Sequence, residues 1–153
     1  PSPDDGAGVV SVPFTLSGVG VAKWALNMPD PTDLDIYLFG PGGTLVGAST
    51  NGGTHESILL NSPADGTYTM VIHGWSVGVT PLQFDLRSWL VPAADGAGSL
   101  TVSSGASTTA TIGGTSTVGI TWAGLTAGEE YLGSVTHRNG TTVVGRTVVA
   151  VTG

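Results

Sequence analysis

Cysteine is absent from the chain, which removes any disulfide framework. Zinc spacing is absent too, because His55, His73 and His137 have no His or Cys neighbour two to five residues away. A chain without cysteine is compatible with a bacterial protein that is exported from the cell. Stability must therefore come from packed secondary structure, and the candidate site residues are oxygen ligands and aromatic rings.

Positive charge is scarce as well. Only 4 of the 153 residues are Lys or Arg, against 11 Asp or Glu, and the net charge is −7. Nucleic-acid binding needs a cationic face that displaces counterions, and docking on anionic lipid needs one too. No apolar run approaches the roughly 20 residues of a membrane span. The sequence predicts no nucleic-acid partner and no membrane partner, and an acidic surface that suits a secreted protein.

Helical periodicity is the third feature that the sequence lacks, because 25 glycines and 9 prolines interrupt every long window. Valine and threonine between glycine-rich turns are typical of short strands, and a hydrophobic share of 40% is enough to form cores. The sequence therefore predicts an all-β protein. We predict strands over residues 9–16, 19–28, 33–39, 44–50, 57–60, 67–74, 82–91, 99–103, 108–112, 115–122, 130–137 and 142–151.

A small, flexible segment at residues 92–98 (Pro-Ala-Ala-Asp-Gly-Ala-Gly) has the composition of a linker. It divides the chain into residues 1–93, predicted to form a β-sandwich, and residues 94–153, predicted to form a smaller β unit. The chain begins at Pro1 without an initiator Met or a signal peptide, so we expect it to be a piece of a longer protein.

Three aspartates, Asp30, Asp33 and Asp35, lie within six residues. In a strand, Asp33 and Asp35 share one face because successive side chains alternate, and the two residues are about 7 Å apart along the strand. Calcium takes about six to eight hard oxygen ligands, often from clustered aspartates. The pattern suggests a calcium site at Asp33 and Asp35, with Glu56 or Asp65 as remote ligands. The alternative is a solvated strand start beside turn aspartates.

The aromatic residues suggest a second kind of site. Trp75 stands next to glycine in a predicted loop, so we expect it to be exposed, and Tyr37 shares the strand face of the two aspartates. Exposed aromatic rings stack on sugars or grip fibrous protein, so Trp75 and Tyr37 are candidate binding residues. The other tryptophans, Trp24, Trp89 and Trp122, lie in predicted strands and are expected to be structural.

Two serine motifs resemble catalytic ones, but neither has the required context. Gly74-Trp75-Ser76-Val77-Gly78 matches G-x-S-x-G, which works only on a strand-to-helix turn, and no helix is predicted after it. The sequence Gly-Thr-Ser at 114–116 continues into a predicted strand, whereas a subtilisin-like nucleophile opens a helix. The sequence therefore predicts no enzymatic activity.

Residues 33–46, DLDIYLFGPGGTLV, resemble the signature hairpin of bacterial pre-peptidase C-terminal (PPC) domains, and residues 63–74, PADGTYTMVIHG, resemble the strand that follows it there. The hairpin is also similar to the P domain of proprotein convertases. Residues 117–122, 131–135 and 145–149 resemble the extreme C-terminus of actinobacterial secreted subtilisin-like serine proteases.

The resemblance implies a jelly-roll-like sandwich followed by a small immunoglobulin- or fibronectin-like β unit. It implies a non-catalytic C-terminal accessory region of a secreted subtilisin-like serine protease that serves stability, secretion or substrate targeting. Its partners would be the protease catalytic domain in cis and polymeric protein substrate. Some related collagenase domains bind calcium, and only Asp33 and Asp35 match that feature. The alternative is a carbohydrate- or fibrous-protein-binding module of another extracellular enzyme.

Overall fold

The computed structural model describes residues 8–29, 31–78, 81–106, 109 and 111–153, and the chain forms two compact units, Pro1–Ala93 and Ala94–Gly153. The described residues form eleven β-strands and no helix, which confirms the all-β prediction. It follows that this described part holds no apolar helix of the length that crosses a membrane.

Seven strands build the first unit. They are β1 (Val9–Leu16), β2 (Val19–Asn27), β3 (Asp33–Phe39), β4 (Leu45–Ser49), β5 (His55–Asn61), β6 (Gly66–Ser76) and β7 (Asp85–Pro92). They form two antiparallel sheets, in the orders β1-β6-β3-β4 and β5-β2-β7. Each predicted strand is found, although β7 begins three residues late because Leu82 and Phe84 pack against the core instead of pairing.

The core of this sandwich comes from alternate residues of strands in both sheets. β3 contributes Leu34, Ile36 and Leu38, which the sequence pattern placed together on one face. From the other sheet, Trp24 is fully buried and meets the ring of Phe14 edge-on, with 5.5 Å between centroids. Because side chains of a strand alternate, burial of these β3 residues turns their neighbours towards the opposite face of the sheet.

A tight turn joins β3 to β4, as predicted. The amide of Gly40 donates to the carbonyl of Thr44 at 2.8 Å, and the amide of Gly43 donates to the carbonyl of Gly40 at 2.9 Å. Gly42 and Gly43 have φ angles of 86° and 80°, a left-handed conformation that glycine adopts without a steric penalty. This hairpin fixes the register in which Tyr37 lies opposite Ala48.

A β-bulge interrupts the pairing of β3 with β6. Asp33 pairs with Ser76 and Leu34 pairs with Gly74, so Trp75 is an extra residue in β6. An extra residue of this kind bends the strand and redirects its own side chain. The bulge lies at the end of β3 that carries Asp33 and Asp35.

The second unit has two two-stranded antiparallel sheets. One pairs β8 (Thr101–Ser104) with β9 (Gly119–Thr121), and the other pairs β10 (Glu130–Asn139) with β11 (Thr142–Thr152). The strand predicted at 108–112 is partly outside the described residues, and positions 109, 111 and 112 are not in a strand. Trp122 is 42% exposed, contrary to the structural role expected for it. No described residue of this unit is buried as deeply as the core residues of the first unit.

Candidate functional site

An open pocket of about 490 Å³ lies on the face of the four-stranded sheet that points away from the core. We call it the β3 pocket. Its lining residues are Asp33, Asp35, Tyr37, Thr50, Gly52 and Trp75. The two residues predicted to bind calcium and the two predicted to bind a polymer therefore surround one cavity.

The carboxyl group of Asp35 is the most enclosed part of this pocket. Asp35 is 7% exposed, and the Tyr37 hydroxyl donates a hydrogen bond to its Oδ2 at 3.3 Å. Burial raises the pKa of Asp35, and the neighbouring charge of Asp33 raises it further, while Tyr37 and His73 oppose the shift. Burial, followed by the charge of Asp35, also raises the pKa of Tyr37. The pocket therefore holds negative charge in a partly desolvated place.

His73 lies beside Asp35 on the neighbouring strand and is fully buried. It faces Asp35 across the β3–β6 pairing, with its Nδ1 3.9 Å from Asp35 Oδ2. Within the described residues, neither ring nitrogen has a hydrogen-bond partner, and Asp33 Oδ1 is likewise buried without one. From the sequence alone His73 is an ordinary strand histidine, because only the register of two strands distant in sequence shows what it faces.

Trp75 forms the exposed wall of the pocket. Its side chain is 56% exposed, as the sequence predicted, and its ring stands edge-on to His73 with 6.4 Å between centroids. The bulge accounts for this position, since it lets Ser76 pair with Asp33 while Trp75 stays on the face of the two carboxylates. An accessible indole thus stands beside buried negative charge.

A buried acid supports the loop that closes the other side of the pocket. Glu56 is 2% exposed, and its Oε2 accepts hydrogen bonds from Ser49 Oγ and, at 3.3 Å, from Asn51 Nδ2. Ser49 ends β4 and Asn51 follows two residues later, so these bonds hold the segment that contains Thr50 and Gly52. Alternation with buried Ile58 places Glu56 on the inward face of β5, but the predicted strand began only at Ser57 and so left Glu56 out.

The predicted remote calcium ligands do not lie in the pocket. Glu56 belongs to the buried network, while the Asp65 carboxylate accepts a hydrogen bond from the Gly18 amide at 2.8 Å. Asp30 lies outside the described residues, and among those described no three His, Cys, Asp or Glu side chains are placed to hold one metal ion. Calcium at Asp33 and Asp35 stays a prediction, and backbone carbonyls and water would have to complete its shell.

The G-x-S-x-G segment has the local structure of a strand end. Ser76 is the last residue of β6 and pairs with Asp33. Residues 79 and 80 lie outside the described part, and the described residues that flank them contain no helix. The strand-to-helix turn that exposes a nucleophilic serine is therefore not seen around Ser76 in these residues.

Comparison with known proteins shows a similarity over part of the chain. The chain resembles pyrolysin from Pyrococcus furiosus. The two are 34% identical over 72 residues, which cover 42% of this chain and 5% of pyrolysin. The chain thus corresponds to a small fraction of this curated relative. No protein-family model matches it, so the resemblance to PPC domains has no family match to support it.

Proposed function

We propose that this chain is a non-catalytic C-terminal accessory region of a secreted subtilisin-like serine protease. The observation that carries the proposal is the similarity to pyrolysin, an extracellular protease of the subtilisin-like class. The matched residues amount to only 5% of pyrolysin, as suits an appended region of such an enzyme. Its partner would be the protease catalytic domain on the same polypeptide.

The geometry around Ser76 supports the non-catalytic part of the proposal. A serine nucleophile needs a histidine within hydrogen-bond reach that takes its proton. His73 lies three residues before Ser76, but it is fully buried against Asp35, and neither of its ring nitrogens bonds to a hydroxyl of the described residues. The backbone of Ser76 pairs with Asp33, so this residue continues the strand and does not stand at a strand-to-helix turn.

The β3 pocket supports a role in holding substrate. It combines accessible Trp75, Tyr37 and two carboxylates on a sheet face that the core fixes in place. A rigid, partly aromatic surface suits contact with a polymeric protein that the catalytic domain cleaves. Stability and secretion are further roles for the same region.

The coding sequence upstream of Pro1 tests the proposal. We expect it to encode a Gly-Thr-Ser-Met-Ala segment and a His-Gly-Thr segment, which mark a subtilisin-like catalytic domain, and their absence would sink the proposal. The purified chain should also remain unlabelled by a fluorophosphonate probe for activated serine. Labelling that disappears in Ser76→Ala would instead identify a hydrolase.

A second candidate, a carbohydrate- or fibrous-protein-binding module of another extracellular enzyme, is favoured by the 56% exposure of Trp75 beside Tyr37. Retention on chitin, cellulose, collagen and keratin would distinguish the polymers. Retention that Trp75→Ala abolishes, together with an upstream domain of another enzyme class, would support this candidate. No retention on any of the four would count against it.

A further inference from the structure

We propose that the β3 pocket binds the basic side chain, lysine or arginine, of a polypeptide. The inference rests on the proposed function in one respect, because the polypeptide would be the polymeric substrate of the attached protease. The binding chemistry itself depends only on the described residues of the first unit.

The balance of charge and hydrogen-bonding groups in the pocket carries the first step. Asp33 and Asp35 contribute two carboxylates, and no Lys or Arg is among the described lining residues. The hydroxyl of Tyr37 already donates to Asp35. The pocket therefore offers mainly acceptors and favours a ligand that brings donors and positive charge. A lysine ammonium has three donors and no acceptor, and an arginine guanidinium has five donors.

Unpartnered polar atoms give a second, independent reason. Asp33 Oδ1 is buried and has no hydrogen-bond partner among the described residues, although Asp33 lines the pocket. On the neighbouring strand, His73 is fully buried, and neither of its ring nitrogens has a hydrogen bond within the described part of the chain; its Nδ1 is 3.9 Å from Asp35 Oδ2. A buried acceptor without a donor is costly, so a cation bound beside the carboxylate of Asp33 offsets part of the cost of its uncompensated charge.

The exposed indole of Trp75 supplies the third step. A cation within about 6 Å of a tryptophan ring centroid is attracted by the face of that ring. The bulge holds Trp75 on the side of the carboxylates, so a single basic group can meet both kinds of partner. The same unit contains such a contact, since Lys23 Nζ lies 5.2 Å from the ring centroid of Trp89.

Calcium and a sugar each match fewer of the groups in the pocket than a basic side chain does. Calcium takes about six to eight oxygens, whereas Trp75 supplies none from its side chain and only two carboxylates are present. A sugar hydroxyl both donates and accepts, and the donor of Tyr37 is already used by Asp35. A basic side chain uses both carboxylates and the indole face together.

A titration of the full 153-residue chain at 0.15 M NaCl tests the inference. The tryptophan indole N–H signals and the backbone amide signals of the pocket residues are followed by NMR, and the amide signals report binding in variants that lack Trp75. The ligands are Nα-acetyl-lysine methylamide, Nα-acetyl-arginine methylamide and the neutral Nα,Nε-diacetyl-lysine methylamide. We expect the Trp75 signal, assigned with Trp75→Phe, to move with at least one cationic ligand and to stay fixed with the neutral one.

Variants with matched controls locate the site. We expect Asp33→Asn to weaken binding about three- to fivefold and Trp75→Ala to weaken it about two- to fivefold. Glu129→Gln removes the same charge from the second unit, and Trp122→Ala removes another exposed indole, so both should leave binding unchanged. Melting curves confirm that each variant is folded, and Trp75→Phe, which keeps an aromatic ring, should retain most of the affinity.

Four outcomes would overturn the inference. The first is binding of the neutral ligand as tightly as the cationic ones, and the second is equal weakening by Asp33→Asn and Glu129→Gln. The third is no shift of the Trp75 signal with either cationic ligand. The fourth is a Trp75 shift that calcium chloride or chitohexaose produces and the cationic ligands do not. None of these touches the proposed accessory role, which the upstream coding sequence decides separately.

Discussion

Replacing Ser49 with alanine should destabilise the first unit through the buried carboxylate of Glu56. Ser49 Oγ donates to Glu56 Oε2, and it also lies 3.2 Å from Asn51 Nδ2 and 3.4 Å from the amide of Ser57. In the alanine variant, Oε2 keeps the hydrogen bond from Asn51 Nδ2 at 3.3 Å. The other oxygen, Oε1, has no hydrogen-bond partner among the described residues. The variant thus removes a donor from a charge that has little access to water.

The expected size follows from the kind of bond that is lost. A hydrogen bond to a charged group contributes about 1.5–3 kcal/mol, so we expect a loss of about 2 kcal/mol in the free energy of unfolding. The first unit, Pro1–Ala93, is in the size range in which 1 kcal/mol shifts the melting temperature by about 4–8 °C. Ser49→Ala should therefore lower its melting temperature by about 10 °C.

Near-ultraviolet circular dichroism during heating measures this loss, because Trp24 is fully buried in the first unit. Ser104→Ala, which removes an exposed hydroxyl from β8, is the matched control and should change little. Ser49→Ala combined with Glu56→Leu should recover part of the stability, since removing both partners also removes the uncompensated charge. A fall of less than about 2 °C in Ser49→Ala, or no recovery in the double variant, would refute the reasoning.

Three further predictions concern the site and its frame. Because burial raises the pKa of Asp35 above its ordinary value of 3.8, the folded state binds its proton more readily than the unfolded state. The free energy of unfolding should therefore rise as the pH falls through the raised pKa of Asp35. Asp35→Asn should lack that part of the pH dependence. Parallel curves of melting temperature against pH for the two proteins would contradict this. If Asp33 and Asp35 bind calcium, melting in calcium should exceed melting in chelator by several degrees, and the joint change of both residues to alanine should remove the difference; equal melting would remove the calcium prediction. Gly66→Ala should cost about 1–3 kcal/mol in urea unfolding, because Gly66 has a φ of +144° and an added Cβ would lie 2.5 Å from Pro41 Cγ, whereas Gly145→Ala, in open space, should be neutral.

The local sequence pattern was sufficient to predict most of the strands of the first unit and which of their side chains share a face. Alternation along 33–39 predicted that Leu34, Ile36 and Leu38 face the core, and it placed Asp33, Asp35 and Tyr37 on one opposite face. A strand repeats every two residues, so a short run of sequence determines which side chains share a face. That is why three of the pocket residues could be assigned to one strand face from the sequence alone.

Pairing between distant segments could not be derived in this way. His73 lies opposite Asp35, and Glu56 bonds to Ser49, only because of the register between strands. The bulge at Trp75 shifts the register between β3 and β6, and the pattern of residues in β6 did not predict it. In the second unit, the threonine-rich stretch at 108–112 has high strand propensity, yet its described positions 109, 111 and 112 are not in a strand, because propensity is realised only in the context of a sheet.

The bulge at Trp75 has a consequence for how this surface can change. The extra residue of a bulge has no partner in the ladder, so its side chain is not constrained by a cross-strand neighbour. Position 75 therefore faces the pocket while contributing little to the pairing of β3 with β6. Replacing its side chain alters what the pocket contacts and leaves the sheet intact, which makes it the position where ligand preference can diverge between related chains without loss of the fold.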